Sequence, residues 1–372
     1  MAWAVAGQTQ RIGLWGGKLL HQGTFKVSNG AYDLLVDGQT KTALPQGASA
    51  KILHAATSIR IETAGKSFAG KKIIFRPSAW NSEFHLTPEN PKKDRRIYQD
   101  ELHLRHRSAG ITAINEVDLE KYVAGVVEAE SGKDQLYEYY KVQAVICRTY
   151  ILSNRNKHYG EDFHLCDEVH CQVYHGKSRW NDSIPLATYA TKGQVLVDKD
   201  INLITAAFHS NCGGYTINSE MVWSKPLDYL IGRPDTFCLH SSQSHWEKEI
   251  PAHDWRSYMQ KNFHYNMADS LMASRVLHYY PTAKSRYMMD EKLAISLVKI
   301  RQDWKLRSTF FIVHEEGDKV RLIGRGFGHG VGLCQEGAMQ MCRKGHTYQQ
   351  VLHYYYTDVH LLDVNRLGFF KD

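Results

Sequence analysis

The sequence predicts an α+β fold, with a strand-rich N-terminal part followed by a mixed helix and strand core. Two observations lead to this prediction. Between residues 10 and 115, short apolar runs alternate with turn residues, which is typical of successive strands. After Asn115, longer segments with apolar side chains at helical spacing appear among shorter strand-like runs. We therefore divide the chain into a strand-rich region at 1–114 and a core at 115–372, with an inserted irregular stretch near 226–300.

The N-terminal region contains a segment that predicts a hairpin. Two apolar runs between Gly23 and Gly38 flank the pair Asn29-Gly30, and Asn-Gly is a favoured two-residue turn between antiparallel strands. Further runs of apolar and β-branched residues predict strands at 58–63, 72–76, 101–106 and 110–114.

The segment from Asn115 to Glu130 predicts a helix that begins at Asn115 or Asp118, because both residue types cap helix N-termini. At about 100° per residue, Glu130 shares one face with Leu119, Val123, Val126 and Val127, whereas Glu128 falls on the opposite side. An acid at the end of an apolar stripe is expected to be partly desolvated, which favours its protonated form and suits a general acid. The alternative is a glutamate that is solvated or paired.

The remaining core alternates between helices and strands. A second helix is predicted at 135–153, and a helical piece near 255–263. The last of two closing helices is marked by a capping box, in which Gln350 follows Thr347 by three positions. The other predicted elements are strands at 310–313 and 320–323 and a helix near 333–344.

Composition and charge limit the possible functions. The chain has 372 residues, of which 43% are hydrophobic and 23% charged, as in ordinary globular proteins. No run approaches the roughly 18 apolar residues of a membrane helix, and Met1–Gly7 lacks the basic and apolar parts of a signal peptide. We therefore expect a chain that does not span a membrane. The net charge of +7 suits an anionic partner, but no nucleic-acid-binding motif accompanies it, so we expect no nucleic acid partner.

A loop-like stretch rich in histidine and cysteine is a candidate metal site. It contains His158, Cys166, His170 and Cys171. Thiols and imidazoles are the ligands that zinc prefers, and the fourth position could be a water molecule. A disulfide between Cys166 and Cys171 and a pair of free buried thiols are the alternatives, and the spacing does not decide which histidine would bind. Because seven cysteines is an odd number, a complete set of disulfides within one chain is impossible.

Two further stretches carry polar residues beside glycines. In the segment from Phe208 to Thr216, Ser210 lacks the flanking glycines of a nucleophile elbow, so we interpret it as a turn that presents backbone amides and hydroxyls to a ligand, or as a plain structural turn. The segment from Gly324 to Ala338 matches neither a dinucleotide-binding loop nor a P-loop. It brings three polar side chains that suit a sugar, Arg325, His329 and Gln335, unless the glycines serve only tight packing.

Five segments together resemble the SpoIID/LytB group of bacterial cell-wall proteins, the stage II sporulation protein D family. They occur in the family's order and span roughly residues 115 to 356. The matching segments are 115–130, 143–150, 166–174, 208–216 and 324–355. The strand-rich region before Asn115 corresponds more weakly to the family's N-terminal part. A difference is Ser131-Gly132, where the family often has Met-Pro, which leaves the exit of the helix open.

The resemblance implies a lytic transglycosylase. Such an enzyme cleaves the β-1,4 bond between N-acetylmuramic acid and N-acetylglucosamine, prefers glycan strands without stem peptides, and leaves 1,6-anhydro ends. The resemblance places the catalytic acid at Glu130. It also implies a zinc site at Cys166 and Cys171 with His158 as the third ligand, and we expect a structural role because these residues lie outside the acid's helix. The residues that we expect to hold the glycan are Tyr174, Ser210, Asn211, Arg325, His329 and Gln335.

The family also includes proteins that bind peptidoglycan and stimulate an N-acetylmuramoyl-L-alanine amidase without cutting glycan. This non-catalytic enhancer is the alternative interpretation, and it would add an amidase to the partners. In both interpretations the partner is a peptidoglycan glycan strand. The resemblance therefore implies a location in the cell envelope, periplasmic or otherwise extracytoplasmic, although the sequence shows no signal peptide.

Overall fold

The computed structural model describes residues 9–79, 81–223, 225–289 and 294–364. Met1–Gly7, on which the expectation about a signal peptide depends, lies outside these ranges. The chain divides into two compact units: a first unit of Met1–Val195 with Leu362–Asp372, and a second unit of Leu196–Leu361. Within the described ranges, no helix has the length and apolar character that crossing a bilayer requires.

In the part of the first unit that the structure describes, twelve strands precede three helices, with a further short strand between the second and third helices. Its strand-rich start and its helices confirm the predicted α+β class. The elements are β1 (Thr9–Gly13), β2 (Gln22–Asn29), β3 (Tyr32–Val36), β4 (Gln39–Leu44), β5 (Ser49–His54), β6 (Ile59–Thr63), β7 (Lys66–Gly70), β8 (Lys72–Pro77), β9 (Glu83–Asn90), β10 (Arg96–Gln99), β11 (Glu101–Arg107), β12 (Gly110–Asp118), α1 (Leu119–Ser131), α2 (Tyr137–Ser153), β13 (Leu165–Cys166) and α3 (Ser183–Ala190).

Two sheets of the first unit pack against each other. One has the order β13-β1-β12-β11-β8-β3-β4 and the other the order β10-β9-β2-β5-β6-β7. Phe25 of β2 stacks on Phe75 of β8 with 4.0 Å between ring centroids, and both rings are fully buried. The predicted hairpin at Gly23–Gly38 is therefore wrong. The Asn29-Gly30 turn instead carries the chain from one sheet to the other, because β2 pairs with β5 and β9 while β3 pairs with β4 and β8.

The long strand β12 leads directly into α1. The predicted boundary at residue 114 falls inside this strand, which pairs with β1 and β11. Asp118 caps α1 as predicted, since its carboxylate accepts hydrogen bonds from the amides of Glu120 (2.9 Å) and Lys121 (3.2 Å). A buried ion pair connects α1 to α2, with Arg148 Nε 3.0 Å from Glu120 Oε1. Its geometry fixes how the helix that carries Glu130 packs against its neighbour.

The second unit has two small sheets and five helices within the described ranges. The parallel pair β15-β20 forms one sheet and the order β16-β19-β18-β17 forms the other. Strands β14 (Gln194–Val197) and β21 (His360–Asp363) contain the points where the chain passes between units. The remaining elements are β15 (Phe208–His209), β16 (His245–Pro251), α4 (Ala252–Phe263), α5 (Ser270–Leu277), β17 (His278–Tyr279), α6 (Leu297–Asp303), β18 (Phe311–Glu316), β19 (Lys319–Arg325), β20 (Leu333–Cys334), α7 (Gln335–Arg343) and α8 (Tyr348–Tyr355).

In the stretch near 226–300, which the sequence predicts to be irregular, the described residues from His245 onward include strand β16 and helices α4 to α6. Strand β16 and helices α4 to α6 pack with β18 and β19 around their own hydrophobic core. Trp255 is fully buried there, and Trp246 packs near Phe311 with 6.0 Å between ring centroids. Spaced tryptophans and single apolar residues have weak periodicity, which is why the sequence shows this core poorly.

Candidate functional site

Glu130 lies in the last turn of α1, in the first unit. Its side chain is half-buried, and Oε1 accepts a hydrogen bond from the backbone amide of Val173 at 3.0 Å. Burial raises the pKa of Glu130 above its usual value, while the hydrogen bond from Val173 lowers it by a smaller amount. This carboxyl therefore keeps its proton to a higher pH than an exposed glutamate does, which is the property of a general acid.

Glu128 lies two residues earlier and has different surroundings. Its Oε2 accepts hydrogen bonds from the Ser178 hydroxyl (3.0 Å) and from the amides of Arg179 and Trp180 (both 2.8 Å). Its side chain is only 7% exposed. With three donors on one oxygen, Glu128 is suited to hold the 178–180 loop against α1.

The helical phase therefore predicted the burial of α1 only in part. It placed Glu130 with the buried apolar face, but the opposite side is buried as well, and Glu128 there is less exposed than Glu130. The cause is Gly125, because a Cβ atom there would lie 2.2 Å from the carbonyl oxygen of Gly176 and 2.6 Å from the Tyr174 ring. A glycine lets this loop approach the helix closely, so both sides of α1 are covered.

The predicted metal ligands come together in the first unit. Ligand atoms of His158, Cys166, His170 and Cys171 all lie within 4.8 Å of one another. His158 Nε2 is 3.3 Å from Cys171 Sγ, and His170 Nδ1 is 3.6 Å from the same sulfur. Both histidines therefore lie beside the two thiols, whereas the sequence did not decide which histidine would bind. The cysteines are buried and reduced.

The surroundings of this cluster resemble those of metal sites. Glu161 Oε1 lies 2.8 Å from Nδ1 of His158, as the carboxylates behind metal-binding histidines often do. The cluster is also connected to Glu130, because Val173 follows Cys171 by two residues and donates its amide to the acid. A ligand that holds Cys171 in place would therefore also hold the Val173 amide, which donates to the Glu130 carboxyl.

Tyr174, which the sequence predicts to contact substrate, lies in the core of the first unit. Its side chain is 1% exposed, and its hydroxyl donates to Asn115 Oδ1 at 2.9 Å. The ring packs against Tyr122 with 4.9 Å between centroids. In this position Tyr174 supports the loop after the cysteines rather than presenting a surface to a ligand.

The other five predicted substrate residues belong to the second unit, where the structure brings the 208–216 turn and the glycine-rich loop together. Asn211 and Phe327 exchange two backbone hydrogen bonds of 3.0 and 2.8 Å, beside the parallel pair β15-β20. Asn211 is buried, and its Nδ2 donates to the Cys238 carbonyl at 3.0 Å. Gln335 is buried as well. Asn211 and Gln335 therefore lie inside the unit.

Three of those five residues are accessible. Arg325 is exposed, and Ser210 and His329 are half-buried. The amide of Val331 donates to Nδ1 of His329 at 3.1 Å. Burial, with a smaller contribution from the nearby Arg301 guanidinium, lowers the pKa of His329 to about 4. His329 is therefore neutral at physiological pH, and its ring is held by hydrogen bonds with the backbone of Val331 and Phe208.

The sequence did not indicate a surface cavity beside α1. This cavity of 210 Å³ is lined by Gly125 and Ala129 on the helix and by the loop that Glu128 holds. Trp180, with 58% of its surface exposed, and the cations Arg95 and Arg179 also line it. An exposed indole beside cationic groups can bind the apolar face of a sugar and its acidic substituents.

The family model of the stage II sporulation protein, SpoIID, matches residues 107–197. That segment contains α1, Glu130 and the His/Cys cluster. Stage II sporulation protein D of Bacillus subtilis is 28% identical over 264 residues, which cover 66% of this chain and 74% of that protein. The chain is a homologue of stage II sporulation protein D. The predicted resemblance to the SpoIID family is thereby confirmed.

Two further relatives extend the match beyond the SpoIID segment. An uncharacterized protein of Brachyspira hyodysenteriae is 29% identical over 273 residues, covering 68% of this chain and 69% of the relative. The amidase enhancer of Bacillus subtilis is 26% identical over 282 residues, covering 62% of this chain and 39% of that longer protein.

Proposed function

We propose that this SpoIID homologue acts on the cell wall as a peptidoglycan lytic transglycosylase. Its substrate would be glycan strands without stem peptides, and its products would carry 1,6-anhydro-N-acetylmuramic acid ends. The observation that carries the proposal is the half-buried Glu130 carboxyl, whose pKa burial raises, within the segment that matches the SpoIID family. Cleavage of this kind makes the protein an enzyme that acts in the cell envelope.

The proposed reaction needs only one carboxyl group. Glu130 donates its proton to the glycosidic oxygen as the bond from the anomeric carbon of N-acetylmuramic acid to that oxygen breaks. The resulting carboxylate then accepts the proton of the sugar's own C6 hydroxyl, while the C6 oxygen bonds to the anomeric carbon. The carboxyl ends in its starting state, and no water is consumed. Most glycosidases need a second carboxyl as nucleophile or base, whereas the neighbouring Glu128 is occupied by three hydrogen bonds.

We further propose that the His/Cys cluster holds zinc in a structural role. Two thiols and two imidazoles form a complete tetrahedral set, and Glu161 behind His158 fits the second shell of such a site. Bound zinc would supply rigidity to the loop. The chain's own contribution is the amide of Val173, which orients the Glu130 carboxyl.

For the glycan we retain the accessible residues Ser210, Arg325 and His329 as proposed contacts. Tyr174, Asn211 and Gln335 are buried, so we assign them to positioning the segments around them. Trp180 and Arg179 are additional proposed contacts, because they line the cavity beside α1.

A second candidate function follows from one of the relatives. The amidase enhancer of Bacillus subtilis matches 62% of this chain. In this alternative the chain binds peptidoglycan and stimulates an amidase without cutting glycan. An amidase is then its protein partner.

Product analysis in isotopically labelled water distinguishes these functions. Stem-peptide-free glycan strands are digested with the wild-type protein in water enriched in ¹⁸O, and the ends are identified by mass spectrometry. A lytic transglycosylase yields anhydro ends that are lighter than reducing ends by one water and carry no label. Reducing ends that carry the label would replace the proposal by a hydrolase. Intact strands, together with faster stem-peptide release when the protein is added to a purified amidase acting on peptidoglycan that still carries its stem peptides, would replace it by the enhancer.

A further inference from the structure

The second unit contains a cluster of soft ligands that is separate from the predicted metal site. Ligand atoms of Cys212, Asp235, Cys238 and Cys334 all lie within 4.8 Å of one another, and all four residues are buried. Cys212 Sγ is 3.4 Å from Cys238 Sγ and 3.3 Å from Asp235 Oδ2. Three sulfurs and one carboxylate oxygen thus converge on one point inside the unit.

Backbone amides and a helix N-terminus point at this cluster. Cys334 caps α7, and its Sγ accepts hydrogen bonds from the amides of Gly337 (3.4 Å) and Cys212 (3.3 Å). Such donors, with the positive end of the helix dipole, are the surroundings expected for a sulfur that binds a metal ion. These contacts are typical of the outer shell around sulfur ligands.

The carboxylate of the cluster is held equally firmly. Asp235 Oδ2 accepts from the Tyr355 hydroxyl at 2.8 Å, and Oδ1 accepts from the amide of Phe237 at 3.1 Å. A Cβ atom at position 337 would lie 2.2 Å from the Tyr355 oxygen and 2.5 Å from Asp235 Oδ2. Glycine at 337 is therefore what allows the first turn of α7 to approach this carboxylate.

A cation lies beside the cluster. Lys284 Nζ donates to the carbonyl oxygens of Cys212 (2.5 Å) and Tyr215 (2.7 Å). A carboxylate buried among three thiols is costly unless positive charge compensates it, and one lysine cannot balance a set of deprotonated ligands. A dication at the centre, with Lys284 alongside, would leave little net charge in the interior.

A disulfide explains the cluster less well. It would join Cys212 and Cys238 at about 2.05 Å, but it would leave Cys334 with two amides on its sulfur and Asp235 without a charged partner. In tetrahedral zinc sites, sulfurs at about 2.3 Å from the metal are about 3.8 Å apart. The 3.4 Å between Cys212 Sγ and Cys238 Sγ is nearer to that value than to a disulfide bond, and all four ligand atoms lie within 4.8 Å of one another.

We propose that Cys212, Asp235, Cys238 and Cys334 form a second zinc site, which is closed and structural. Three thiolates and a carboxylate give tetrahedral coordination with no position left for water. The metal would fasten the 211–214 turn and the 235–238 turn to the start of α7. It would thereby fix the position of the glycine-rich loop, whose Phe327 pairs with Asn211. The proposal does not depend on the chain cutting glycan.

Zinc counting in a chain without the first cluster tests the proposal. The full chain carrying Cys166→Ser and Cys171→Ser is purified under reducing conditions with zinc, and metal and free thiols are then measured. We expect one zinc per chain. Adding Cys334→Ser should abolish that zinc, whereas Cys342→Ser should retain it, because Cys342 is a buried thiol on the same helix outside the cluster.

Cobalt substitution covers the case in which Cys334→Ser fails to fold. With the two first-cluster cysteines replaced and all others intact, cobalt(II) should give intense sulfur-to-metal charge-transfer absorption and the visible bands of tetrahedral coordination. Absence of zinc and of these bands would overturn the proposal, as would recovery of Cys212 and Cys238 as a disulfide from protein kept reduced. Retention of zinc by a folded Cys334→Ser variant would also contradict it.

Discussion

Glu128 and Glu130 stand two residues apart near the end of α1. Glu128 is nearly inaccessible, and one of its oxygens accepts hydrogen bonds from a hydroxyl and two amides. Glu130 is half-buried, accepts the amide of Val173, and has a pKa that burial raises. The degree of burial of a carboxyl group alone therefore does not identify a general acid. The number of hydrogen-bond donors around each carboxyl distinguishes a glutamate that supports the structure from one that can take part in chemistry.

The largest expected effect on stability is at Glu128. Replacing Glu128 by Ala removes the acceptor of three hydrogen bonds. A hydrogen bond to a charged group contributes about 1.5–3 kcal/mol to stability. With relaxation of the loop, we expect the free energy of unfolding to fall by about 3 kcal/mol. Urea unfolding of Glu128→Ala and Glu130→Ala measures this difference. The comparison fails if Glu130→Ala proves the more destabilising of the two.

A smaller effect is expected from the metal cluster, which acts on Glu130 through Val173. Cys171→Ser removes one proposed ligand, so it should lose zinc from the first unit and slow glycan cleavage by about tenfold, because the Val173 amide would hold the Glu130 carboxyl less firmly. Cys342→Ser, at a buried thiol outside both clusters, should retain the wild-type rate. Loss of the zinc with no change in rate would show that the cluster does not position the acid.

The smallest effect is the pH dependence of stability. The folded-state pKa of Glu130 is raised, so this group contributes stability below its unfolded value of about 4.3, and that contribution is lost as pH rises through the folded pKa. Because glutamine does not ionise, Glu130→Gln removes this loss of stability with rising pH. Its stability relative to wild type should therefore increase between pH 4 and neutral pH. Urea unfolding across this range, with Glu247→Gln at an exposed position as a control, measures the trend, and a relative stability that falls with pH would contradict it.

The sequence predicted features formed by residues close along the chain well, and features formed by residues far apart in the chain poorly. The cap at Asp118, the capping box at Thr347 and the cluster around Cys166 and Cys171 each depend on residues that are close along the chain. The second cluster joins Cys212, Cys238 and Cys334, which are far apart in sequence, so no spacing pattern could reveal it. Only folding brings these thiols together.

Long-range packing also explains two features that the local sequence pattern did not predict, the turn at Asn29-Gly30 and the covered side of α1. Asn29-Gly30 has the composition of a hairpin turn, but the aromatic core between Phe25 and Phe75 needs the flanking strands in different sheets. The side of α1 opposite its apolar stripe is covered because Gly125 lets the loop at Gly176 approach the helix. In both places tertiary contacts outweigh the local pattern.

The proposed role of Glu130 is tested most directly by the rates at which Glu130→Gln and Glu128→Gln form 1,6-anhydro ends from stem-peptide-free glycan, normalised to folded protein. Loss of a general acid costs about 10²–10⁴-fold, so we expect Glu130→Gln to fall at least about a hundredfold below wild type. Glu128→Gln should stay within about threefold of wild type, because the glutamine oxygen can still accept the hydrogen bonds that hold the 178–180 loop. A wild-type rate for Glu130→Gln, or an equal loss in both variants, would contradict the assignment of Glu130 as the acid.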